Sequence, residues 1–221
     1  MSKIYIDLET IKCQKPELIE FIKSLVKPHH SCKTEESKEK SVLKQMGDVV
    51  EKTVFDGAYG EIVTIGYAID NEPEQVLQRT DSVNERDVIQ AFFDALAKNA
   101  PRPERWVAHN KEFDLRFLWQ RSIINQIEMH GIKIPVNERH GRQAFCTMQE
   151  WKGFGAKPGG SLDSLCKVLG LDGKGDFTGA DVYDAWSNGQ YQKIADYCKH
   201  DVYLLREVYR RLTKEHGAKH D

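Results

Sequence analysis

Apolar residues alternate with others at the start of the chain. Ile4, Ile6 and Leu8 fall on one side of a strand, and Tyr5, Asp7 and Glu9 on the other. The period then changes. Leu18, Phe21, Ile22 and Leu25 recur at helical spacing over Pro16 to Val26, and Pro28 ends the run. A charged stretch, Lys33 to Lys40, leads into Val42, Leu43, Met46, Val49 and Val50, which predicts an amphipathic helix with a solvated charged end. Phe55 to Gly60 is a glycine-punctuated turn that opens the strongest strand, Glu61 to Ile69. Asn71-Glu72-Pro73 turns the chain back through a hairpin strand, Gln75 to Arg79. Asn84 is placed to cap a helix with Asp87 at its third position, and Val88, Ile89, Phe92, Phe93 and Leu96 form its apolar stripe.

In the second half, Trp106 to Asn110 reads as a short strand feeding a helix from about Glu112 to Gln126. Its packing residues are expected to be Leu115, Phe117, Leu118, Ile123 and Ile124. Ile132 to Pro135 and Ala144 to Thr147 read as weak strands. Ser161 caps a helix carrying Leu162, Leu165, Val168 and Leu169, and Gly170 stops it. Asp181 to Trp186 predicts a short helix, and Tyr191 to Leu212 the last long one. Three antiparallel strands followed by strand–helix units predict an α/β fold, a mixed sheet flanked by helices. A length of 221 residues suits one domain, 1–221, with a charged helical insertion at about 26–56.

Four acidic residues do not fit a plain packing pattern. Asp7 and Glu9 lie two residues apart on one face of a strand that looks buried, and such close like charges repel unless a cation lies between them. Asp114 stands in the first turn of its helix, with Phe117 and Leu118 three and four residues on, so it points along the packed face. The dipole of the helix N-terminus would also favour an acid there. In the last helix the stripe is Ile194, Cys198, Leu205, Val208 and Leu212, and Asp201 falls inside it. A carboxylate there costs several kcal/mol without a cation or strong donors. Tyr197 is one turn earlier on the same side, and a plain Tyr197–Asp201 hydrogen bond is the structural alternative.

Composition narrows the class without naming the chemistry. With 32 basic and 34 acidic residues the net charge is −2, which advertises no nucleic-acid partner. Ten Lys or Arg against six Asp or Glu between Arg102 and Gly160 give a local positive surplus. No stretch approaches the ~18 apolar residues that span a membrane, and the first strand leaves no room for a signal peptide. Five cysteines without a CxxC pair suit reduced thiols in a cytoplasm. His29, His30 and Cys32, with Cys13 upstream, lack the tight pairing of structural zinc sites. Gly155 and Gly160 have phosphate-loop spacing, but Ser161 stands where that motif needs Lys.

The ordered set carries more than its parts. Asp7-Leu8-Glu9-Thr10, Ala108-His109-Asn110-Lys111-Glu112-Phe113-Asp114 and Tyr197-Cys198-Lys199-His200-Asp201 resemble the three motifs of the DnaQ-like 3′–5′ exonucleases. Tyr-x-x-x-Asp is similar to the tyrosine (DEDDy) branch, and Gly60-Glu61-Ile62-Val63 resembles the exonuclease domains of family B DNA polymerases. The resemblance implies an RNase H-like fold: a mixed five-stranded sheet, its first three strands antiparallel, flanked by α-helices. It implies a free-standing exonuclease that releases nucleoside 5′-monophosphates from 3′ ends of single-stranded DNA, with two divalent cations, Mg²⁺ or Mn²⁺. By the same resemblance Asp7, Glu9, Asp114 and Asp201 hold the metals, and Tyr197 orients the attacking water. Substrate contacts are expected from Leu8, Thr10, His109, Asn110, Lys111 and Lys157. Two alternatives stay open: an exoribonuclease that trims RNA, and a non-catalytic nucleic-acid-binding module.

Overall fold

The computed structural model describes residues 2–137, 143–153, 160–173 and 175–214. Its five strands are β1 (Ser2–Ile11), β2 (Glu61–Ile69), β3 (Gln75–Gln78), β4 (Pro103–Ala108) and β5 (Ala144–Cys146), in the order β3-β2-β1-β4-β5. β1 pairs antiparallel with β2, and β2 with β3, while β4 runs parallel to β1 and β5 parallel to β4. The expected mixed α/β sheet is therefore present, with the first motif on its middle strand.

A middle strand buries both faces, and the alternation along β1 assigns them. Ile4, Ile6 and Leu8 join a core with α3 (Glu85–Asn99) and α4 (Lys111–Ile124). Tyr5 joins the opposite core, built from α6 (Leu162–Leu169) and α8 (Tyr191–Thr213). The remaining helices are α1 (Pro16–Ser24), α2 (Glu35–Glu51), α5 (Thr147–Lys152) and α7 (Val182–Ser187). The Asn84–Asp87 capping box forms as expected at α3, and Ser161 caps α6, which Gly170 ends in a left-handed conformation.

An ion pair inside the fold ties four segments together. Arg121 and Glu85 are buried and doubly hydrogen-bonded, Nε to Oε1 at 2.8 Å and Nη2 to Oε2 at 2.6 Å. Glu85 also accepts from the Ile62 amide and the Asn125 side chain, and Arg121 donates to the Gly57 carbonyl. The pair thus fixes α3 and α4 against the entry of β2.

The structure corrects several expectations. Ile132 to Pro135 is not a strand. Ile132 and Ile134 are buried by packing alone, after a turn in which His130 and Gly131 both have positive φ. Ile123 and Ile124 are exposed rather than packed. The buried face of α4 runs through Asp114, Leu115, Leu118, Arg121 and Ser122, and its polar members hid the phase. Val168 likewise faces solvent. In α2 no residue is buried, and Leu43 is 71% exposed, so its apolar stripe meets little beyond α1. A 3-10 turn at Lys52–Phe55 and helix α5 had no clear periodic signal. No helix among the described residues is long and apolar enough to cross a membrane.

Candidate active site

Asp7 and Glu9 project from β1 to the side covered by α8. Their partners on β2 are Gly66 and Thr64. Gly66 has a specific steric role. A Cβ there would lie 2.8 Å from Cys198 Sγ, 2.9 Å from Val202 Cγ2 and 3.0 Å from the Cys198 carbonyl. Only a bare backbone lets α8 settle this close to the sheet. The close approach brings Cys198 Sγ within 3.6 Å of both the backbone oxygen and Oδ2 of Asp7. It also carries Tyr197 and Asp201, on the adjoining flank of α8, to the β1 carboxylates.

Asp7, Glu9, Asp114, Tyr197 and Asp201 all line one cavity of about 470 Å³. Glu9, Asp114 and Asp201 are buried, at 6%, 4% and 2% exposure, and Asp7 and Tyr197 are half-buried. Ligand atoms of Asp7, Glu9 and Cys198 lie within 4.8 Å of one another; Asp114 and Asp201 share the cavity outside that tight group. Burial, followed by the charges of Asp7, Glu9 and Asp201, pushes the Cys198 thiol well above its ordinary pKa. The carboxylate oxygens that share the cavity are the hard donors that suit Mg²⁺ or Mn²⁺. His29, His30 and Cys32 form no such group; His29 Nδ1 is bonded to Ser31 Oγ at 2.8 Å.

The expected substrate contacts divide. Leu8, Thr10, His109 and Asn110 line the cavity. The Thr10 hydroxyl, however, donates to the Val54 carbonyl at 2.8 Å, so its polar atom anchors the 3-10 turn. Both His109 ring nitrogens are engaged, Nδ1 with Thr147 Oγ1 at 2.9 Å and Nε2 with the Gly160 carbonyl at 3.0 Å. Since a carbonyl only accepts, Nε2 carries the proton, and the ring pins α5 and the start of α6. Asn110 caps the N-terminus of α4 by position. Lys111 is not among the lining residues, and Lys157 lies outside the described ones.

Other lining residues escaped sequence reasoning. Phe55 is 67% exposed at the cavity and meets Phe113 edge-on at 6.4 Å; Phe113 also packs on the core. Lys12 Nζ pairs with Glu51 at 2.5 Å and sits 4.2 Å from the centre of the Tyr183 ring. The hydrogen bond to Glu51 raises the Lys12 pKa, so the amine stays charged at any working pH. Strand parity sets Lys12 with Leu8, and a register shift between Glu9 and Thr10 breaks that parity. Glu51 reaches the cavity only through the tertiary position of α2, for which no local signal exists.

Residues 55–218 match a family model described as a predicted 3′–5′ exonuclease related to the exonuclease domain of PolB. The matched residues include Asp114, Tyr197 and Asp201 but not Asp7 and Glu9, which the fold places beside them. The fold is similar to the structure of the family B DNA polymerase from the hyperthermophilic archaeon Pyrobaculum calidifontis. The TM-score is 0.62 at 14% identity, covering 96% of this chain and 24% of the polymerase chain. No curated protein matches. Matched over most of its length and sharing the fold of one part of such a polymerase, the chain belongs to the predicted 3′–5′ exonucleases related to the exonuclease domain of PolB.

Proposed function

We propose that the protein hydrolyses phosphodiester bonds at the 3′ end of single-stranded DNA and releases nucleoside 5′-monophosphates. One observation carries this reading. Four carboxylates from three separate elements, with a tyrosine one turn from the last, wall a single cavity. Two divalent cations held by Asp7, Glu9, Asp114 and Asp201 would supply a nucleophilic water and stabilise charge on the phosphoryl and leaving oxygens. In this scheme Asp7, on the middle strand, would be one of the residues that hold the cations.

The remaining chemistry belongs to the chain itself. Tyr197 orients the attacking water through its hydroxyl; a free phenol, with a pKa of ~10, is too weak a base to deprotonate it alone. Phe177 meets the Tyr197 ring edge-on at 5.0 Å and limits its swing. The buried Asp114 and Asp201 have few rotamers open to them, which favours a preorganised donor set. Phe55, exposed beside the cavity, offers a face to the terminal base. In this reading the chain acts as one domain over 1–221, with the charged helical insertion at about 26–56 bringing Glu51 of α2 to the cavity.

The test is one time course. Single-stranded DNA labelled at the 3′ or 5′ end, duplex DNA and RNA are each incubated with Mg²⁺, Mn²⁺ or chelator. Immediate release of a labelled 3′-terminal mononucleotide from single-stranded DNA, lost in chelator, is expected. Full activity in chelator, or 5′-terminal release first, would sink the reading. Preferred cleavage of RNA would move the substrate to the ribonucleotide class with the chemistry unchanged.

A further inference from the structure

The cavity wall has a charge problem. Asp7, Glu9, Asp114, Asp201 and Glu51 place five carboxylates around it, and Lys12 is the one Lys or Arg among its described lining residues. Two divalent cations would be neutralised by the first four acids. Among the described lining residues, Lys12 is then the one cationic side chain left to meet the phosphates beside the scissile one. Yet Lys12 is occupied: its Nζ lies 2.5 Å from Glu51, at the last residue of α2. The Tyr183 ring beneath it, 4.2 Å from Nζ, keeps the amine over the cavity instead of in open solvent.

We propose that Lys12 is a phosphate-binding residue for the nucleic-acid strand, and that Glu51 competes with the strand for it. A carboxylate and a phosphodiester oxygen offer Nζ the same charge and a similar acceptor. Glu51 is 65% exposed and Lys12 22%, so the pair exchanges partners without unpacking the core. Exposed pairs of this kind are weak, which lets a phosphate displace the carboxylate. Glu51 is the last residue of α2, inside the charged helical stretch at about 26–56, so the competing acid comes with that stretch. Because α2 packs on α1 and on the 3-10 turn at Lys52–Phe55, anything that moves this hairpin also moves the competitor.

The inference rests on the nucleic-acid reading above, and its test separates the two. Binding of a fluorescein-labelled oligodeoxynucleotide is followed by anisotropy in chelator across a salt series, for wild type, Lys12→Met, Glu51→Gln and the double variant. Hydrolysis of the same strand in Mg²⁺ is measured in parallel. Lys12→Met should weaken binding about fivefold and lower the slope of log Kd against log salt by about 0.7, one single-strand contact. Glu51→Gln should tighten binding about threefold, and the double variant should bind like Lys12→Met. Equal tightening by Glu51→Gln in the Lys12→Met background would assign the effect to general charge and overturn the exchange. An unchanged affinity and slope in Lys12→Met, or no binding by wild type, would overturn it as well. Binding that follows the expected pattern without any hydrolysis would refute the exonuclease reading alone.

Discussion

Gly66→Ala tests whether the approach of α8 to the sheet builds the site. The added methyl group would meet Cys198 Sγ at 2.8 Å, Val202 Cγ2 at 2.9 Å and the Cys198 carbonyl at 3.0 Å, while ordinary contact begins at 3.4 Å. The sulfur and the valine methyl can turn aside, but the carbonyl belongs to the helix backbone. The difference of 3.4 and 3.0 Å therefore asks α8 to retreat by about 0.4 Å. Overpacking of this kind costs roughly 1–3 kcal/mol, and the reduced freedom of the unfolded chain returns about 0.4–1 kcal/mol. A net loss of about 1–2 kcal/mol follows, read as a lower urea midpoint or a fall in Tm of ~2–8 °C for a chain of this size. Activity should fall as well. Tyr197 and Asp201 ride on the displaced helix, and at ~100-fold per ~1 Å of misplacement in a catalytic set, a shift of about 0.4 Å costs roughly fivefold. Single-turnover hydrolysis of a labelled strand at saturating protein isolates that loss from binding. Gly47→Ala is the control, because α2 has nothing within 4 Å of a Cβ there; it should stabilise by up to ~1 kcal/mol. A Gly66→Ala protein with wild-type midpoint and rate would refute the steric reading.

Three further outcomes are expected. Arg121→Ala should cost about 3–5 kcal/mol in urea unfolding, because it leaves Glu85 charged and buried; a loss below ~1 kcal/mol would show that water replaces the guanidinium. Asp7→Asn should abolish hydrolysis yet raise metal-free stability by roughly 0.5–2 kcal/mol, by easing repulsion with Glu9, and should blunt any Tm rise with Mg²⁺ or Mn²⁺; an unaltered metal response would remove Asp7 from the ligand set. A thiol reagent at neutral pH should label Cys32 first and leave the four buried cysteines until denaturant is added, with Cys198 among the slowest because its thiol is held protonated; mass spectrometry of native protein labelled at Cys198 would contradict the burial described.

Three of the four acids of the site were visible because they break the local rule of their elements; Asp114, at a helix N-terminus that favours an acid, stood out only through its place in the ordered set. Asp7 and Glu9 put charge on a strand that alternates toward two cores, and Asp201 interrupts an apolar helical stripe. Such conflicts survive in the sequence because the period of the element is set by its other members. Ile123 shows the opposite case. Its type promised packing, but the phase of α4 was carried in part by Arg121, whose burial depends on Glu85, 36 residues away. Ile132 and Ile134 are buried without a ladder, so burial alone could not decide between strand and coil.

What stayed hidden was everything that depends on two distant segments meeting. Gly66 looks like an ordinary strand glycine until α8 is laid across it. Thr10 and His109 adjoin motif acids and so look like substrate contacts, yet their hydrogen bonds go to Val54, Thr147 and Gly160. Both observations have one cause. A cage of acids is stable only if the elements that carry it cannot drift apart, so neighbouring polar side chains are used to clamp those elements. The groups proposed above to meet a substrate then come from the periphery, from Lys12 just after β1 and Phe55 after α2. Division of labour of this kind makes the acids of such a cavity the part that motifs can find, and the residues at its rim the part that requires the fold.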